Sequence, residues 1–257
     1  MAILKAKRIN EIIEILEDKG SVNVNDLSQH FGVTMMTIRR DLEQIENRNC
    51  ISRIHGGAIY QVTSDKKNEI PTLDRMKLFQ HEKIRIAKKA AQMIQKDETI
   101  FLGSGTTTLY LAKELGNRSD ISVVTNSVMI LNELATNSGM DIVMVGGFLR
   151  RSEFSLIGHF ASDMINNLYV DKVIIGIRGI HARFGLTSSH PQELMTDRMI
   201  LGMSTNVIIL ADHTKIGHVA ASRTEHLNAA KTIITTHSAS REMVDAIIKK
   251  DVEVILV

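Results

Sequence analysis

Residues 34–45 read Thr-Met-Met-Thr-Ile-Arg-Arg-Asp-Leu-Glu-Gln-Ile, and this stretch decides the fold of the N-terminal part of the chain. Its apolar residues Ile38, Leu42 and Ile45 recur at helical spacing, which predicts a helix with one buried face. Thr34 precedes that helix and is expected to cap it, because a threonine hydroxyl can accept from a backbone N–H of the first turn. The remaining faces carry Met35, Met36, Thr37, Arg39, Arg40 and Glu43.

Two helical patterns precede this stretch, and a hairpin pattern follows it. The apolar spacing of residues 9–16 predicts a first helix, and Val24–Phe31 predicts a short second helix capped by Asn23 or Asn25. Two strands, Ile51–Ile54 and Ala58–Tyr60, are predicted around the turn Gly56-Gly57. Three helices and a hairpin predict a winged helix-turn-helix domain over residues 1–60.

A helix-turn-helix places the N-terminal residues of its second helix against base edges in the major groove of DNA. Arginine suits bidentate contact with guanine, while Thr and Met can contact thymine methyl groups. At the hairpin tip, Arg53 and His55 are placed to contact phosphate or the minor groove. The predicted DNA-binding residues are Thr34, Met35, Met36, Thr37, Arg39, Arg40, Arg53 and His55. A generic three-helix bundle with solvated arginines is the alternative, and Asp41 is expected to orient a neighbouring arginine or to cap.

Composition excludes several classes of protein but does not by itself indicate DNA binding. The formal net charge of the 257 residues is only +2, and the first sixty contain eight Lys or Arg and eight Asp or Glu. The apolar fraction of 44% is typical of a globular protein, and the strongest apolar run, Val207–Ala211, has only the length of a strand. We therefore expect a cytoplasmic protein with no secretory signal and no membrane span. Its single cysteine, Cys50, is expected to be a small packing residue rather than a redox switch.

Residues 80–257 alternate apolar runs with helical patterns. Because these runs are continuous rather than alternating, they indicate a sheet that is covered on both faces. Strand–helix alternation predicts an α/β domain with a doubly wound, mostly parallel sheet. The predicted strands are Thr99–Leu102, Ile121–Thr125, Asp141–Val145, Lys172–Ile177, Asn206–Leu210, Lys231–Thr235 and Val252–Leu256. Residues 61–79 are polar, contain Pro71 and are predicted to form a linker.

A glycine-rich turn, Phe101-Leu-Gly-Ser-Gly-Thr-Thr-Thr108, joins the first of these strands to a helix. Such a turn lets backbone N–H groups approach an anion, and the helix N-terminus adds a favourable dipole. The turn lacks the Gly-Lys-Ser/Thr of a Walker loop, and Thr108 replaces the last glycine of the dinucleotide pattern. It therefore indicates a phosphate site, with a well-capped structural turn as the alternative.

Other polar turns are expected to lie at the same edge of the sheet, where ligands collect in doubly wound folds. Thr125-Asn-Ser127 follows the second predicted strand, and Val145-Gly-Gly-Phe-Leu-Arg-Arg151 follows the third. Later, Ala211-Asp-His-Thr-Lys215 could bring Lys215 to this edge, where a lysine is a good partner for phosphate.

The sequence resembles the DeoR family of bacterial transcriptional repressors at both ends. Residues 34–45, followed by Ser52-Arg-Ile-His-Gly-Gly-Ala58, match the pattern of that family's N-terminal domain, although Asn49 replaces a usual glycine. The resemblance to its C-terminal sensor domain is carried by Glu82-Lys-x-x-Ile-Ala87, Gly103-Ser-Gly-Thr-Thr107, Val124-Thr-Asn-Ser127, Gly146-Gly147, Asp171-Lys172, Gly185-Leu-Thr187 and Asp212-x-Thr-Lys215.

This resemblance implies a sensor domain related to sugar-phosphate isomerases and coenzyme A transferases, in which a phosphorylated sugar or related metabolite changes operator affinity. Three positions depart from the family pattern, namely Gly103, Arg178 and His213, and the last two could suit an extra anionic group. The predicted effector-binding residues are Gly103, Ser104, Gly105, Thr106, Thr107, Asn126, Gly146, Gly147, Arg178 and Lys215.

The main alternative is an isomerase-like enzyme with an appended DNA-binding domain. Proton abstraction needs a positioned base, but no Asp or Glu occurs from Lys172 through Gln192, where the isomerases that this fold resembles carry their catalytic acids. Glu193 and Asp197 are expected to be solvated or ion-paired beside Arg198. Metal binding is not expected, because the ten histidines lack ligand spacing, and no cofactor is expected.

The sequence therefore predicts a transcriptional regulator, a repressor of a carbohydrate-utilisation operon, with double-stranded operator DNA and a small-molecule effector as partners. Because helix-turn-helix proteins place two recognition helices one DNA turn apart, we expect a homo-oligomer, either a dimer or a tetramer. The linker and the helix that begins near Lys83 are the segments expected to transmit the effector signal.

Overall fold

The structure, a computed structural model, describes residues 5–19, 21–46, 51–54, 56–60, 72–137 and 139–257. The chain divides into two units, Met1–Glu69 and Ile70–Val257. Three sequence positions discussed above, Asn49, Cys50 and His55, and the linker residues 61–71 lie outside the described residues.

The first unit is a winged helix-turn-helix, as predicted. Its helices are α1 (Lys5–Lys19), α2 (Val24–Phe31) and α3 (Met35–Glu46), and its strands are β1 (Ser21–Asn23), β2 (Ile51–Ile54) and β3 (Gly57–Tyr60). The strands pair antiparallel in the order β1-β3-β2. The three-residue β1 was not predicted from the sequence, because so short a segment carries no periodic signal. The core of this unit contains Ile9, Ile12, Leu16, Val24, Leu27, Phe31, Ile38, Leu42, Ile45 and Ala58.

Side-chain caps and one buried ion pair hold these helices in place. Asn23, rather than Asn25, caps α2, since its Oδ1 accepts from the backbone N–H of Asn25 at 2.8 Å. Thr34 caps α3 by accepting from the N–H of Thr37 at 3.3 Å. Asp41 neither caps nor orients a neighbouring arginine: its Oδ2 lies 2.6 Å from Nε of Arg8, and both residues are buried. The prediction for Asp41 was therefore wrong, because Arg8 lies 33 residues away and no local pattern links the two.

The second unit is built on a seven-stranded, wholly parallel sheet, which confirms the predicted doubly wound architecture. The strands are β4 (Thr99–Leu102), β5 (Ser122–Thr125), β6 (Asp141–Met144), β9 (Lys172–Gly176), β12 (Val207–Leu210), β14 (Thr232–Thr235) and β15 (Glu253–Leu256). Their spatial order is β6-β5-β4-β9-β12-β14-β15. Each of the seven predicted strands has its counterpart here.

Helices cover both faces of this sheet, and a separate apolar cluster fills the space on each side. The helices are α4 (Thr72–Met76), α5 (Gln80–Ala91), α6 (Thr106–Leu115), α7 (Val128–Leu134), α8 (His159–Ile165), α9 (Pro191–Leu201) and α10 (Arg241–Ile248). Side chains alternate between the clusters, so Phe101 packs into one while Ile100 and Leu102 pack into the other.

Two small antiparallel sheets were missed by the sequence analysis. One pairs β7 (Phe148–Arg150) with β8 (Ser155–Ile157), and the other contains β10 (Gly179–His181), β11 (Gly185–Ser188) and β13 (Ser222–Glu225). These strands have three or four residues and several contain Gly or Ser, so their composition is that of turns.

The end of the predicted linker differs from expectation. Thr72–Met76 is helical, and α4 packs against α6 within the second unit. The Thr72 hydroxyl donates to the carbonyl oxygen of Ser152 at 2.9 Å. Residues 72–79 therefore belong to the second unit, because Thr72 and α4 contact residues that lie far along the chain.

Candidate functional site

The parallel sheet of the second unit has a topological switch point between β4 and β9, where the strand order changes direction. Ligands of open α/β sheets bind outside the carboxyl ends of the strands at such a point. A cleft lies there, lined by Gly103–Thr107 after β4 and by Gly176, Ile177 and Arg178 at the end of β9. The fold therefore provides the crevice that the sequence pattern predicted.

The loop after β4 approaches β9 so closely that it requires glycine. A Cβ on Gly103 would lie 2.5 Å from Cγ2 of Ile175, and the N–H of Gly103 donates to the carbonyl oxygen of Ile174 at 3.0 Å. Gly105 has a φ of +145°, a conformation that residues with side chains rarely adopt. The two glycines therefore let bare backbone border the cleft.

The N-terminus of α6 opens directly into this cleft. Thr106 and Thr107 line it, while the Thr108 hydroxyl is turned back to donate to the carbonyl oxygen of Gly105 at 3.0 Å. Asn126 fixes the loop from the neighbouring strand end, because its Oδ1 accepts from the N–H of Ser104 at 3.3 Å. First-turn N–H groups lack intrahelical acceptors and lie at the positive end of the helix dipole, so this end of the cleft favours an anion.

Lys215 reaches the cleft from a short 3₁₀ helix, His213–Lys215, that follows β12. Asp212 caps this turn by accepting from the N–H of Thr214 at 3.1 Å. Burial lowers the pKa of Lys215, and Arg178 and Arg75 lower it further, whereas Asp212 acts in the opposite direction. The amino group of Lys215 thus lies beside cationic side chains, and an anionic ligand would favour its protonated form.

A second lysine, Lys83, lies behind Lys215. It is buried in α5, and its Nζ donates to the carbonyl oxygen of Arg75 at 2.6 Å. Burial lowers the pKa of Lys83 to about 8, with Lys215 and Arg75 contributing and Asp212 opposing. Burial raises the pKa of Asp212, but Lys215 and Lys83 outweigh it and lower that pKa overall.

An ion-pair network links the cleft to α4. Nη2 of Arg75 on α4 lies 2.5 Å from Oε2 of Glu153, and Arg178 donates to Oε1 of the same carboxylate. The Thr72 hydroxyl donates to Oε2 at 2.9 Å. Arg75, Glu153 and Arg178 all line the cleft, so α4 is tied to the lining of the cleft through one carboxylate.

The other wall of the cleft carries two carboxyl groups from α9. Glu193 accepts from Nη1 of Arg150, and burial raises its pKa although Arg150 opposes that effect. Burial likewise raises the pKa of Asp197, to about 8. Arg198 does not pair with either carboxyl group, because its guanidinium donates to the carbonyl oxygens of Thr224 and Arg223. The expectation of an ion-paired role is confirmed for Glu193, although its partner is Arg150 and not Arg198, and both carboxyl groups line the cleft.

The structure brings eight of the ten predicted effector-binding residues to this cleft, but Gly146 and Gly147 do not line it. The segment after β6 continues into β7 instead of forming an open turn. Gly147 has a φ of +151°, and a Cβ there would lie 2.7 Å from the carbonyl oxygen of Ile157, so its glycine is explained by backbone packing.

His213 was expected to help bind an anion, but its ring points elsewhere. Its Nδ1 lies 2.9 Å from a carboxylate oxygen of Glu82, and the ring packs edge-on against Phe79. Burial raises the pKa of Glu82, but hydrogen bonds from His213 and Thr236 outweigh it and lower that pKa overall. His213 therefore anchors α5 to the turn that carries Lys215.

Sequence reasoning missed five ionisable residues that line the cleft: Arg75, Glu153, Glu193, Asp197 and Asp212. The four-residue spacing of Glu193 and Asp197 places both on one helical face and was a usable signal. Asp212 lay within a motif that was recognised only for its lysine. Arg75 lay in the predicted linker, and Glu153 pairs with it across 78 residues, so neither carried a local signal.

In the first unit, the N-terminal part of α3 presents an exposed face. The side chains of Met35 and Met36 are 48% and 58% exposed, and those of Arg39 and Arg40 are exposed as well. Ile38 and Leu42 on the opposite face are buried in the core. Exposed methionines beside arginines at the start of this helix suit contact with base edges and phosphates.

The remaining predicted residues of this face divide into two groups. Thr34 and Thr37 share a hydrogen bond between their hydroxyl oxygens at 3.0 Å, so both take part in the helix cap. Arg53 lies in β2, and His55 falls outside the described residues.

Neither a membrane span nor a metal centre is found in the part of the chain that the structure describes. None of its helices is both long enough and apolar enough to cross a bilayer. No group of three or more His, Cys, Asp or Glu side chains within the same residues could hold a metal ion.

Comparison with known families covers both units. Residues 8–64 match the DeoR-like helix-turn-helix domain, and residues 79–237 match the DeoR C-terminal sensor domain. Among solved structures, a ribose-5-phosphate isomerase in complex with phospho-erythronic acid is 22% identical and covers 53% of each chain, with a TM-score of 0.40.

Curated relatives span most of the chain. The glycerol-3-phosphate regulon repressor of Escherichia coli (strain K12) is 36% identical over 216 residues, which are 84% of each protein. A putative aga operon transcriptional repressor of Escherichia coli O157:H7 is 29% identical over 98% of this chain and 94% of its own length. These relatives are named as repressors, so the isomerase alternative is not favoured. With a helix-turn-helix domain for DNA and a sensor domain for a small-molecule effector, the chain belongs to the DeoR family of transcriptional regulators.

Proposed function

We propose that this protein represses a carbohydrate-utilisation operon and that a phosphorylated sugar in the cleft of the second unit releases it from operator DNA. The observation that carries the proposal is the convergence of the α6 N-terminus, two threonines, Lys215 and Arg178 at one switch point. The names of two relatives, a glycerol-3-phosphate regulon repressor and a putative aga operon repressor, support a sugar-related target.

The phosphate of the ligand is assigned to the end of the cleft formed by Gly103–Thr107. Backbone N–H groups there have no helical acceptor, and the hydroxyl groups of Ser104, Thr106 and Thr107 add further donors. Lys215 adds a point charge, and hydrogen bonds to charged groups contribute about 1.5–3 kcal/mol each. Arg178 extends the positive charge toward the β9 side.

DNA recognition is assigned to the exposed start of α3 and to the hairpin. Arg39 and Arg40 contact guanine or phosphate, and Met35 and Met36 contact thymine methyl groups. Thr34 and Thr37 shape the helix start as well as facing the DNA. Arg53 and His55 on the hairpin contact phosphate or the minor groove.

Transmission of the signal is assigned to α4. Arg75 holds α4 to Glu153, and the same carboxylate accepts from Arg178. A phosphorylated ligand that draws either arginine toward itself weakens this pairing, because both guanidinium groups then share their charge with a second anion. Since α4 is the first helix after residues 61–71, its movement reaches the linker.

The working unit is proposed to be a homo-oligomer, a dimer or a tetramer, because two recognition helices one DNA turn apart bind a two-fold symmetric operator. A protein that acts on DNA in this way belongs in the cytoplasm. No cofactor is needed for the proposed function.

The experiment is a thermal-shift screen of the purified full chain, followed by operator release. The panel contains ribose 5-phosphate, fructose 6-phosphate, glycerol 3-phosphate, glucosamine 6-phosphate and the corresponding unphosphorylated compounds. At least one phosphorylated compound is expected to raise the melting temperature and to release DNA that the protein has selected from a random-sequence library. Stabilisation by none of them, or equal stabilisation by the unphosphorylated compounds, contradicts the proposal.

A further inference from the structure

Three carboxyl groups line one side of the cleft, and two of them already have cationic partners. Glu153 is paired with Arg75 and Arg178, and Glu193 is paired with Arg150. Asp197, one turn after Glu193 on α9, makes no hydrogen bond or ion pair with any residue that the structure describes. A polar group that borders a cleft without a partner of its own is available to a ligand.

The surroundings of Asp197 disfavour its charged form. Burial raises its pKa to about 8, Glu193 and Glu153 raise it as well, and Arg150 and Arg178 oppose them. The helix α8 and the strand β13 also pack against α9, and both bear titratable side chains. None of these side chains lines the cleft; they belong to His159, Asp163, Arg223 and Glu225. The strands β8 and β11 contribute no charged residue. These surroundings favour the uncharged form of the Asp197 carboxyl group.

A phosphorylated ligand strengthens this preference. The cleft already contains the carboxylates of Glu153, Glu193 and Asp212, and a phosphate group adds further negative charge. Ionisation of Asp197 in the occupied cleft would place one more negative charge among them. An uncharged carboxyl group has an O–H donor and a carbonyl acceptor, which together match the neighbouring oxygen atoms of a polyol.

We propose that Asp197 binds the sugar part of the effector as an uncharged carboxylic acid, donating its proton to one ligand oxygen and accepting from an adjacent hydroxyl. The proposal rests on the function proposed above, because it takes the Gly103–Thr107 end of the cleft for the phosphate. It makes Asp197 a specificity-determining residue. It also narrows the ligand class to phosphorylated sugars and polyols without an amino group, since a ligand ammonium group requires an ionised carboxylate.

Two substitutions separate the uncharged acid from the alternatives. Asn keeps one donor and one acceptor in nearly the same shape, whereas Leu keeps the volume and removes both. Calorimetry of the full chain at pH 7 with fructose 6-phosphate or glycerol 3-phosphate, whichever binds more tightly, measures the effect. We expect Asp197→Asn to keep the Kd within about threefold and Asp197→Leu to raise it about tenfold or more. Inorganic phosphate, which lacks the polyol, should bind all three proteins equally.

A pH series gives a second readout. Between pH 7 and pH 9 the wild type loses the proton of Asp197, so its Kd for the same sugar phosphate should rise about tenfold more than that of Asp197→Asn. Lys83, whose pKa is about 8, adjoins the cleft and titrates over the same range in both proteins. The difference between the two profiles therefore isolates Asp197.

The outcomes distinguish this inference from the proposed function. Equal affinity of Asp197→Leu and wild type, together with a weaker Lys215→Ala, leaves the phosphate site standing and overturns the role of Asp197. Loss of binding in Asp197→Asn, or a preference of the wild type for glucosamine 6-phosphate, also overturns it in favour of an ionised carboxylate. If no phosphorylated compound binds the wild type, both proposals are wrong. Thermal unfolding verifies each variant, and if Asp197→Leu fails to fold, Asp197→Ala and the pH series decide.

Discussion

The exposed face of α3 and the cleft of the second unit use charged side chains in opposite ways. On α3, Arg39 and Arg40 are exposed to solvent, and the core lies on the other side of the helix. In the cleft, Arg75 and Arg178 are held against the buried carboxylate of Glu153. Substitutions on the exposed face of α3 should therefore change the free energy of unfolding little. The arrangement in the cleft couples ligand binding, protonation and stability through the same side chains.

The largest effect is expected at the ion pair between Arg8 and Asp41 in the first unit. Like the ion pairs of the cleft, and unlike the exposed face of α3, this pair is buried. Replacing Asp41 with Ala removes the buried carboxylate that accepts from Nε of Arg8. Removing one member of a buried pair costs about 3–5 kcal/mol, so we expect the first unit to unfold and DNA binding to be lost. Sugar-phosphate binding by the second unit should remain.

Denaturant titration followed by circular dichroism measures the loss, with the exposed Glu43→Ala on the same helix as the control. A free energy of unfolding within about 1 kcal/mol of the control, the range of most surface substitutions, would remove the energetic role of this pair.

The second effect is the pH dependence of stability at Asp197. Its pKa of about 8 in the folded protein exceeds the ordinary 3.8, so the folded state holds a proton that the unfolded state loses. The stability from this group is complete below about pH 4 and is lost as the pH rises to about 8, at about 1.4 kcal/mol per pKa unit. Asp197→Asn should match the wild type near pH 4 and exceed it by a few kcal/mol near pH 8.

Urea titrations at both pH values measure this difference. Parallel profiles for the two proteins would mean that Asp197 is ionised in the folded state, and would contradict the account of the cleft given above.

The smallest expected changes in stability belong to the exposed face of α3. Arg39→Ala and Arg40→Ala should each leave the melting temperature unchanged and weaken operator binding. A lost base contact costs about 1–3 kcal/mol of discrimination, and a lost phosphate contact lowers the salt dependence by about one unit. Fluorescence anisotropy over a range of salt concentrations measures both, with the exposed Lys88→Ala of the second unit as the control. Unchanged affinity in both arginine variants would move the DNA-reading surface away from this helix.

The two units also differ in how much of their function could be predicted from the sequence. The exposed face of α3 follows from one helical period, because burial of Ile38 and Leu42 leaves Met36 and Arg39 outside. The seven parallel strands and the loop Gly103–Gly105 were likewise predictable, since apolar runs and glycine-rich turns are local signals.

The acidic wall and the α4 connection of the cleft were not predictable in this way. Arg75 pairs with Glu153, which is 78 residues away along the chain. The partner of Glu193 is Arg150, which lies in a strand of only three residues. The pKa of Asp197 is raised because the fold buries this carboxyl group on α9 and places it beside Glu193 and Glu153. Gly147 was predicted to contact the ligand, but the close approach of its backbone to Ile157 explains why this position is a glycine.

An anion in the cleft is expected to control DNA binding by the other unit, and operator release by wild type and Lys215→Ala measures this control. The measurement is anisotropy of a labelled operator titrated with the tightest-binding phosphorylated sugar of the panel. Without ligand, the two proteins should bind DNA equally. With ligand, the wild type should dissociate, and Lys215→Ala should need a concentration about tenfold higher or more, because it lacks one charge-assisted hydrogen bond. Release of both proteins at the same concentration would contradict the account.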